Sequence, residues 1–309
     1  MENIDVVYNY KTKEVSNLKP QKLKKKVLPY MMVTPAISLF MVFFIFPIFY
    51  MVYLSFFDWN MLSDMKFINL ENYTKLFSSI EFKQVIINTF HYMILTVFFT
   101  IVISLLLALF LKNDTRINRL VQGAIFLPYV VSLASIAFIW MWIMDKDYGL
   151  LNYVLQVFGQ EQVNWLGNPH VAMNSLVLVN VWKGIGYNTI IFISAMQSVP
   201  TYLYEAAKLD GAKPHTIFFK ITLPMLSPTL FFLTLMGIIA SFKVFETINI
   251  MTLGGPLNST NTLVYYIYQY GFSFYKIGYA SAAGVILMIL IGIMTAIYFR
   301  MLSKKVYYR

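Results

Sequence analysis

Eight polar residues interrupt two otherwise apolar stretches of this 309-residue chain: Asn180, Lys183, Tyr187 and Asn188 in one, Lys243, Glu246, Thr247 and Asn249 in the next. Side chains of this kind are costly in hydrocarbon, so they turn toward a bundle interior or a wet cavity. Aromatic faces beside amides and charges suit a pyranose ring, which has apolar C–H faces and a rim of hydroxyls. The set is a candidate substrate pathway. Two blander readings stay open: Lys243 and Glu246, three residues apart, can neutralise each other, and Lys183 can pair with a partner subunit. Covalent chemistry fits poorly. Cysteine is absent, which removes thiol nucleophiles, disulfides and thiolate metal sites. His91, His170 and His215 stand in different segments without metal-ligand spacing, and no nucleophile and base are paired. The expectation is a non-enzyme that holds no metal or cofactor of its own.

The elements that must position these groups follow from composition. With 59% hydrophobic and 12% charged residues and a positive mean hydropathy, the chain is built for a bilayer. Its long unbroken apolar runs lack the alternation of a barrel, so an all-α membrane protein is expected. Six transmembrane helices are read at about 28–56, 86–111, 125–144, 172–196, 225–251 and 280–302. Residues 1–27 form a basic N-terminal tail and 303–309 a second tail, both assigned to the cytoplasm. The first apolar run exceeds signal-peptide length and has no small-residue cleavage site, so it reads as a retained helix. With both termini inside, 17 of the 24 Lys and Arg lie in cytoplasmic pieces, five outside, and Lys183 and Lys243 within spans. That bias predicts an N-in, C-in topology. It also accounts for the net charge of +10 through orientation and anionic lipid rather than nucleic acid. Outside, seven acidic residues face five basic ones, a near-neutral balance that suits neutral polar ligands. The long outer loops are expected to hold short surface helices, "LENYTKLFSSIEFKQVIINTF" among them, packed on the bundle mouth or lying on lipid.

A hydrophilic segment, residues 200–224, separates the fourth and fifth spans on the predicted cytoplasmic side. Pro200 suits a helix start, "TYLYEAAKL" carries the helix and Gly211 supplies a left-handed stop. Pro214 then starts a second helix through "HTIFFKITL", ended by Pro224. Leu203, Ala206 and Ala207 share a face of the first helix. The pair reads as a docking plug, or as a loop that merely caps the bundle.

The stretch "EAAKLDGAKPHTIFFKITLP" closely resembles the EAA loop of ATP-binding-cassette importer permeases, with Glu205, Ala206, Ala207, Gly211, Ile221, Leu223 and Pro224 at the family's spacing. "MTLGGPLNST", "GYASAAGVILMI", "WLGNPHVAMNSLVLVNVWKGIGY" and "FINLENYTKLF" narrow the resemblance to carbohydrate-importer permeases of the maltose and multiple-sugar type, from about Leu28 onward. The resemblance implies that the hairpin couples to a separate ATPase. It further implies a second permease subunit, two ATPase subunits or domains carrying ATP and Mg, and an extracytoplasmic solute-binding protein, all at a bacterial plasma membrane. The chain has no Gly-x-x-x-x-Gly-Lys-Ser/Thr phosphate loop, so the power source lies on another polypeptide. The implied cargo is a sugar or oligosaccharide. The alternatives are a glycerol-phosphate-type or acidic sugar solute, or an ion-coupled secondary transporter using Glu246. Against the last stands a lack of repeat pairs and broken helices in the sequence.

Overall fold

The computed structural model describes residues 28–302; the two expected tails lie outside the described residues. The described residues divide into two compact units between Tyr53 and Leu54. In the first, helix α1 (Leu28–Leu54) contains a π turn at Met41–Ile45. Its Phe40 and Phe44 rings stack, as do Phe46 and Tyr50, and its side chains are almost all exposed.

The second unit opens with a two-stranded ribbon, β1 (Phe57–Asp58) and β2 (Lys66–Phe67), in which Phe57 pairs with Phe67 and Asp58 with Lys66. Helix α2 (Glu71–Ser78) follows. Its Leu76 is fully buried against Phe82, Leu263 and Tyr266, and Asn72 donates to the carbonyls of Ser55 and Phe57 at 2.9 Å. The helix within "LENYTKLF" is therefore packed on the bundle.

Helix α3 (Ile80–Leu111) begins six residues before the expected 86, because Ser79 caps it by accepting from the Phe82 N–H. Glu81 in the first turn faces the positive helix end. Next come α4 (Arg116–Val130) and α5 (Leu133–Ile143), which bend by 102° at their junction. The expected third span at 125–144 is thus a broken pair, and the expectation that the chain lacks broken helices is corrected. Pro128 withdraws a donor inside α4, and Val131 and Ser132 are extended.

A loop with α6 (Leu150–Val157) leads to α7 (Ala172–Gln197). Asn152 organises that loop: its amide donates to the carbonyls of Asp145, Lys146 and Val163, and its oxygen accepts from the Val163 N–H and Trp165 Nε1. The hairpin helices α8 (Thr201–Leu209) and α9 (214–225) precede α10 (Ser227–Phe242) and α11 (Glu246–Met251). The expected fifth span is therefore interrupted at 243–245. After α12 (Leu263–Tyr268), continued by a π turn at Gln269–Ser273, helix α13 (Ile277–Leu302) closes the chain. Among the described residues, five helices are long and apolar enough to cross a membrane, or six if the bent pair is one span.

With lipid as apolar as leucine, helices associate through close approach and interhelical hydrogen bonds. At the α4–α7 crossing, a Cβ on Gly186 would collide with the Ile125 carbonyl oxygen, so only glycine lets the backbones meet. Between α3 and α7, Ser104 Oγ donates to the Ile185 carbonyl at 3.0 Å, and buried Thr189 bonds the same carbonyl at 2.7 Å. Ala282 and Ala283 perform the small-residue role on α13, where both are fully buried.

Candidate functional site

A cavity of about 510 Å³ lies between α3, the α4–α5 junction, α7, α10 and the 243–246 break. Of the eight expected pathway residues, Asn180, Lys183, Tyr187, Asn188, Lys243 and Glu246 line it. Thr247 is fully buried behind the wall and accepts a 3.2 Å bond from Asn180 Nδ2. Asn249 does not line it.

The polar wall is built locally. Asn180 and Asn188 each return an amide hydrogen to the carbonyl four residues back, Leu176 and Gly184, leaving their amide oxygens free to accept. Lys183 Nζ donates to the carbonyls of Pro128, Tyr129 and Val131 at 3.2, 3.0 and 2.6 Å. Tyr187, one turn on, stacks on Tyr129 with ring centroids 4.5 Å apart and planes 14° from parallel. Lys243 ends α10 and Glu246 begins α11, so the two do not share the helical i, i+3 face on which mutual neutralisation depended. Among the described residues, the ion pairs are Lys75–Glu71 and Arg119–Asp114, neither at the cavity.

Sequence reasoning missed Tyr92, Thr96, Thr100, Tyr129 and Ser241 on the same wall. Three of them, Tyr92, Thr96 and Thr100, lie at every fourth position along α3, and none of the five carries a charge. Only the fold shows that α3 and α4 contribute to the cavity.

The hairpin is built as its residues dictate. Helix α8 spans the expected "TYLYEAAKL" and ends in a Schellman stop: the Gly211 N–H donates to the Lys208 carbonyl at 3.0 Å and the Ala212 N–H to the Ala207 carbonyl at 2.9 Å. Gly211 has φ +67°. Pro214 starts α9, which does not end at Pro224. A π turn at Phe218–Thr222 carries the chain past the proline, with a break only at Leu226. The wider turn accommodates a residue that lacks an N–H and crowds the preceding turn. Tyr204 and Thr222 hydroxyls, 3.3 Å apart, tie the two helices. Leu203 and Ala207 are half-buried, whereas Ala206 is exposed and joins Tyr202, Glu205 and Leu209 in an i, i+3, i+4, i+7 outward stripe, so the face the three residues share is divided between inside and outside. Ile221, Leu223 and Pro224 are half-buried at the base.

Beyond the cavity, the "GGPLNST" segment turns at the far end of α11, as its glycines and proline predict, with left-handed Leu253, Gly254, Leu257 and Asn258. Asn88 of α3 donates to the carbonyls of Asn258 and Asn261 at 2.8 and 3.0 Å, pinning the turn to the bundle. Tyr270 donates to Glu81 at 2.9 Å. Burial pushes its hydroxyl up to about 12, so it remains a donor across the physiological range.

A helical membrane bundle with a polar, aromatic-walled cavity flanked by broken helices, and with a helical hairpin between two spans, fits a transport permease. Residues 100–308 match the family described as the binding-protein-dependent transport system inner membrane component, and the chain belongs to that family. It is a multi-pass membrane protein and a permease subunit of a binding-protein-dependent ABC importer. It is 36% identical to the sn-glycerol-3-phosphate transport system permease protein UgpA of Pectobacterium atrosepticum, over 91% of this chain and 96% of the relative. It is 35% identical to the probable ABC transporter permease protein YurN of Bacillus subtilis, over 86% and 93%. Its fold is similar to a chain of a bacterial ABC transporter that imports the acidic polysaccharide alginate, with TM-score 0.81 and 25% identity, covering 93% of this chain and 99% of that one. A second structure of the alginate transporter, in complex with an alginate pentasaccharide-bound periplasmic protein, matches with TM-score 0.81 and 25% identity over 91% of this chain and 96% of that one. With a broken helix present, the case against a secondary transporter rests on this family membership.

Proposed function

We propose that the chain forms half of the translocation path of an ATP-driven importer for a sugar or oligosaccharide. The observation that carries the substrate class is the cavity: its 510 Å³ falls within the roughly 300–1,000 Å³ of ordinary ligand sites, and its wall combines a stacked tyrosine pair with amides. Lys183 keeps its charge but gives its donors to backbone carbonyls, so the charged side chains left to bond a solute, Lys243 and Glu246, are opposite in sign. Such a pair of bonding groups favours a neutral polar solute. The roles of Asn180, Lys183, Tyr187, Asn188, Lys243 and Glu246 along the path, with Thr247 as support for Asn180, belong to this reading.

In the same reading the bent pair counts as one span, giving six, with both termini, the tails 1–27 and 303–309, and the hairpin at the cytoplasmic face. Glu205, Ala206, Ala207, Gly211, Ile221, Leu223 and Pro224 form the coupling element. Tyr202, Glu205, Ala206 and Leu209 meet a separate ATPase that holds ATP and Mg. A second permease completes the pore, and a solute-binding protein delivers cargo at the outer face. Catalysis resides on the ATPase, and closure of its pair moves the hairpin as a rigid lever.

A glycerol-phosphate solute is the second reading, favoured by the similarity to the sn-glycerol-3-phosphate permease UgpA. The test is ATP-dependent uptake by the full complex with its cognate binding protein in proteoliposomes, offered radiolabelled maltotriose and sn-glycerol 3-phosphate. Uptake of the oligosaccharide supports the first reading and uptake of the phosphate ester alone the second. Uptake driven by an ion gradient without ATP would refute both.

A further inference from the structure

We infer that Lys183 is a positioning residue, a clamp on the broken helix rather than a free cation for the transported solute. Where α4 stops, its last four carbonyls lose their helical partners. In a bilayer such groups are tolerated only when protein or a cavity satisfies them. Lys183 supplies the partner: a lysine ammonium has three donors, and here three backbone carbonyls, of Pro128, Tyr129 and Val131, take one each. No donor is left over for an anion.

The charge also matches the negative end of α4, where a cation stabilises the helix dipole. The grip is double. The ammonium sits 5.6 Å from the centroid of the Tyr129 ring, and Tyr187, four residues along α7, stacks on that same ring. One turn of α7 thus holds both the backbone and the side chain at the end of α4. Gly186 lies between them and allows the helices to touch. The 102° bend between α4 and α5 therefore depends on a side chain some 50 residues away in sequence.

The bend is measurable without any transported solute, so this test stands apart from the proposed function; only the clamp's effect on solute handling rests on that reading. The native chain has no cysteine, so Ile117→Cys and Ile139→Cys, both at exposed positions, place two spin labels on it. The complex assembled with its partner subunits in lipid nanodiscs is compared with the same complex lacking the introduced pair. At about 1.5 Å rise per residue, the two backbone sites lie roughly 22 Å apart across a 102° bend and roughly 33 Å apart were the helix straight.

One narrow distance peak is expected with Lys183. Lys183→Met should broaden the peak and move it several ångströms toward the longer distance, and Lys183→Arg should restore it. Should Lys183→Met fail to assemble, Lys183→Gln, with two donors and no charge, carries the same comparison and gives an intermediate width. An unchanged distribution in the neutral variants overturns the inference, and so does an Arg variant as broad as the Met one. An unchanged distribution together with lost uptake of sn-glycerol 3-phosphate would instead make Lys183 an anion ligand.

Discussion

Gly211 offers the sharpest test of the hairpin. Its φ of +67° lies in the left-handed region, and nothing lies within 4 Å of where a Cβ would stand. Substitution there carries a backbone cost with no steric cost from neighbours. An ordinary L-residue is disfavoured in this region by about 1–2 kcal/mol, while asparagine visits it readily. Gly211→Asn should then be nearly silent, Gly211→Ala should cost about 1–2 kcal/mol, and β-branched Gly211→Val should cost more. At about 1.4 kcal/mol per tenfold, the alanine variant weakens ATPase docking about 5- to 30-fold if docking requires the Schellman stop. The assay is titration of the ATPase onto permease in nanodiscs, with ATP-coupled uptake alongside. The decisive feature is the order. Asparagine and valine both exceed alanine in volume, so a penalty that followed size would refute the backbone argument. Equal docking by all four proteins would refute the hairpin as the coupling element.

Gly186→Ala should destabilise the purified complex by about 1–3 kcal/mol or more, because its Cβ meets the Ile125 backbone, whereas Gly184→Ala meets only the Thr100 methyl at 3.4 Å and should be tolerated; thermal unfolding of the two complexes compares them directly. Asn152→Ala leaves the Val163 N–H and the Trp165 indole N–H without their acceptor, at about 1–3 kcal/mol for each unsatisfied group, so limited proteolysis should cut residues 145–165 faster than in the native complex. Tyr187→Phe should keep the stack on Tyr129 and nearly native uptake, while Tyr187→Ala loses a ring pair worth about 0.5–1.5 kcal/mol and should raise the KM for uptake several-fold with a smaller change in maximal rate.

The hairpin was legible because its signals are local. A proline at a helix start, a glycine at the stop and a second proline three residues after that glycine each act within one turn of chain. The cavity residues Asn180, Lys183, Tyr187, Asn188, Lys243 and Glu246 were legible for a different reason: a polar group in an apolar run is costly wherever it sits, so its presence alone points inward. The α4–α5 break was hidden. "FLPYVVSLASI" carries no charge, so a hydropathy reading runs straight across it, and the lysine that makes the break tolerable lies in another helix. The start of α3 was hidden as well, since Ser79 caps it inside the polar run "SSIEFKQ" that hydropathy reads as loop. Residues 203, 206 and 207 do fall on one side of a helical wheel, but the contact of Tyr204 with Thr222 turns Leu203 and Ala207 partly inward and leaves Ala206 exposed, a division that no wheel shows.

The two breaks in the spans, at 131–132 and at 243–245, have the cavity in common: Tyr129 and Leu133 flank one, and Lys243, Val244, Phe245 and Glu246 form the other. An intact helix hides its backbone dipoles in its own ladder and shows a passing solute only side chains. A bundle that must wet its centre gains most where the ladder is interrupted, provided each freed group is met by protein or by the cavity itself. At the first break the carbonyls go to Lys183. At the second, the Lys243 and Val244 N–H groups turn back to Ala240 and Ser241, and Asn180 reaches Thr247 just beyond. Helix α7 thus touches both interruptions from residues three apart: Lys183 takes freed carbonyls at the first, and Asn180 bonds the Thr247 hydroxyl beside the second. It is the fixed wall against which the two broken helices are set, so substitutions on this one turn should disturb both sides of the cavity together, whereas those on α10 or α4 should disturb one.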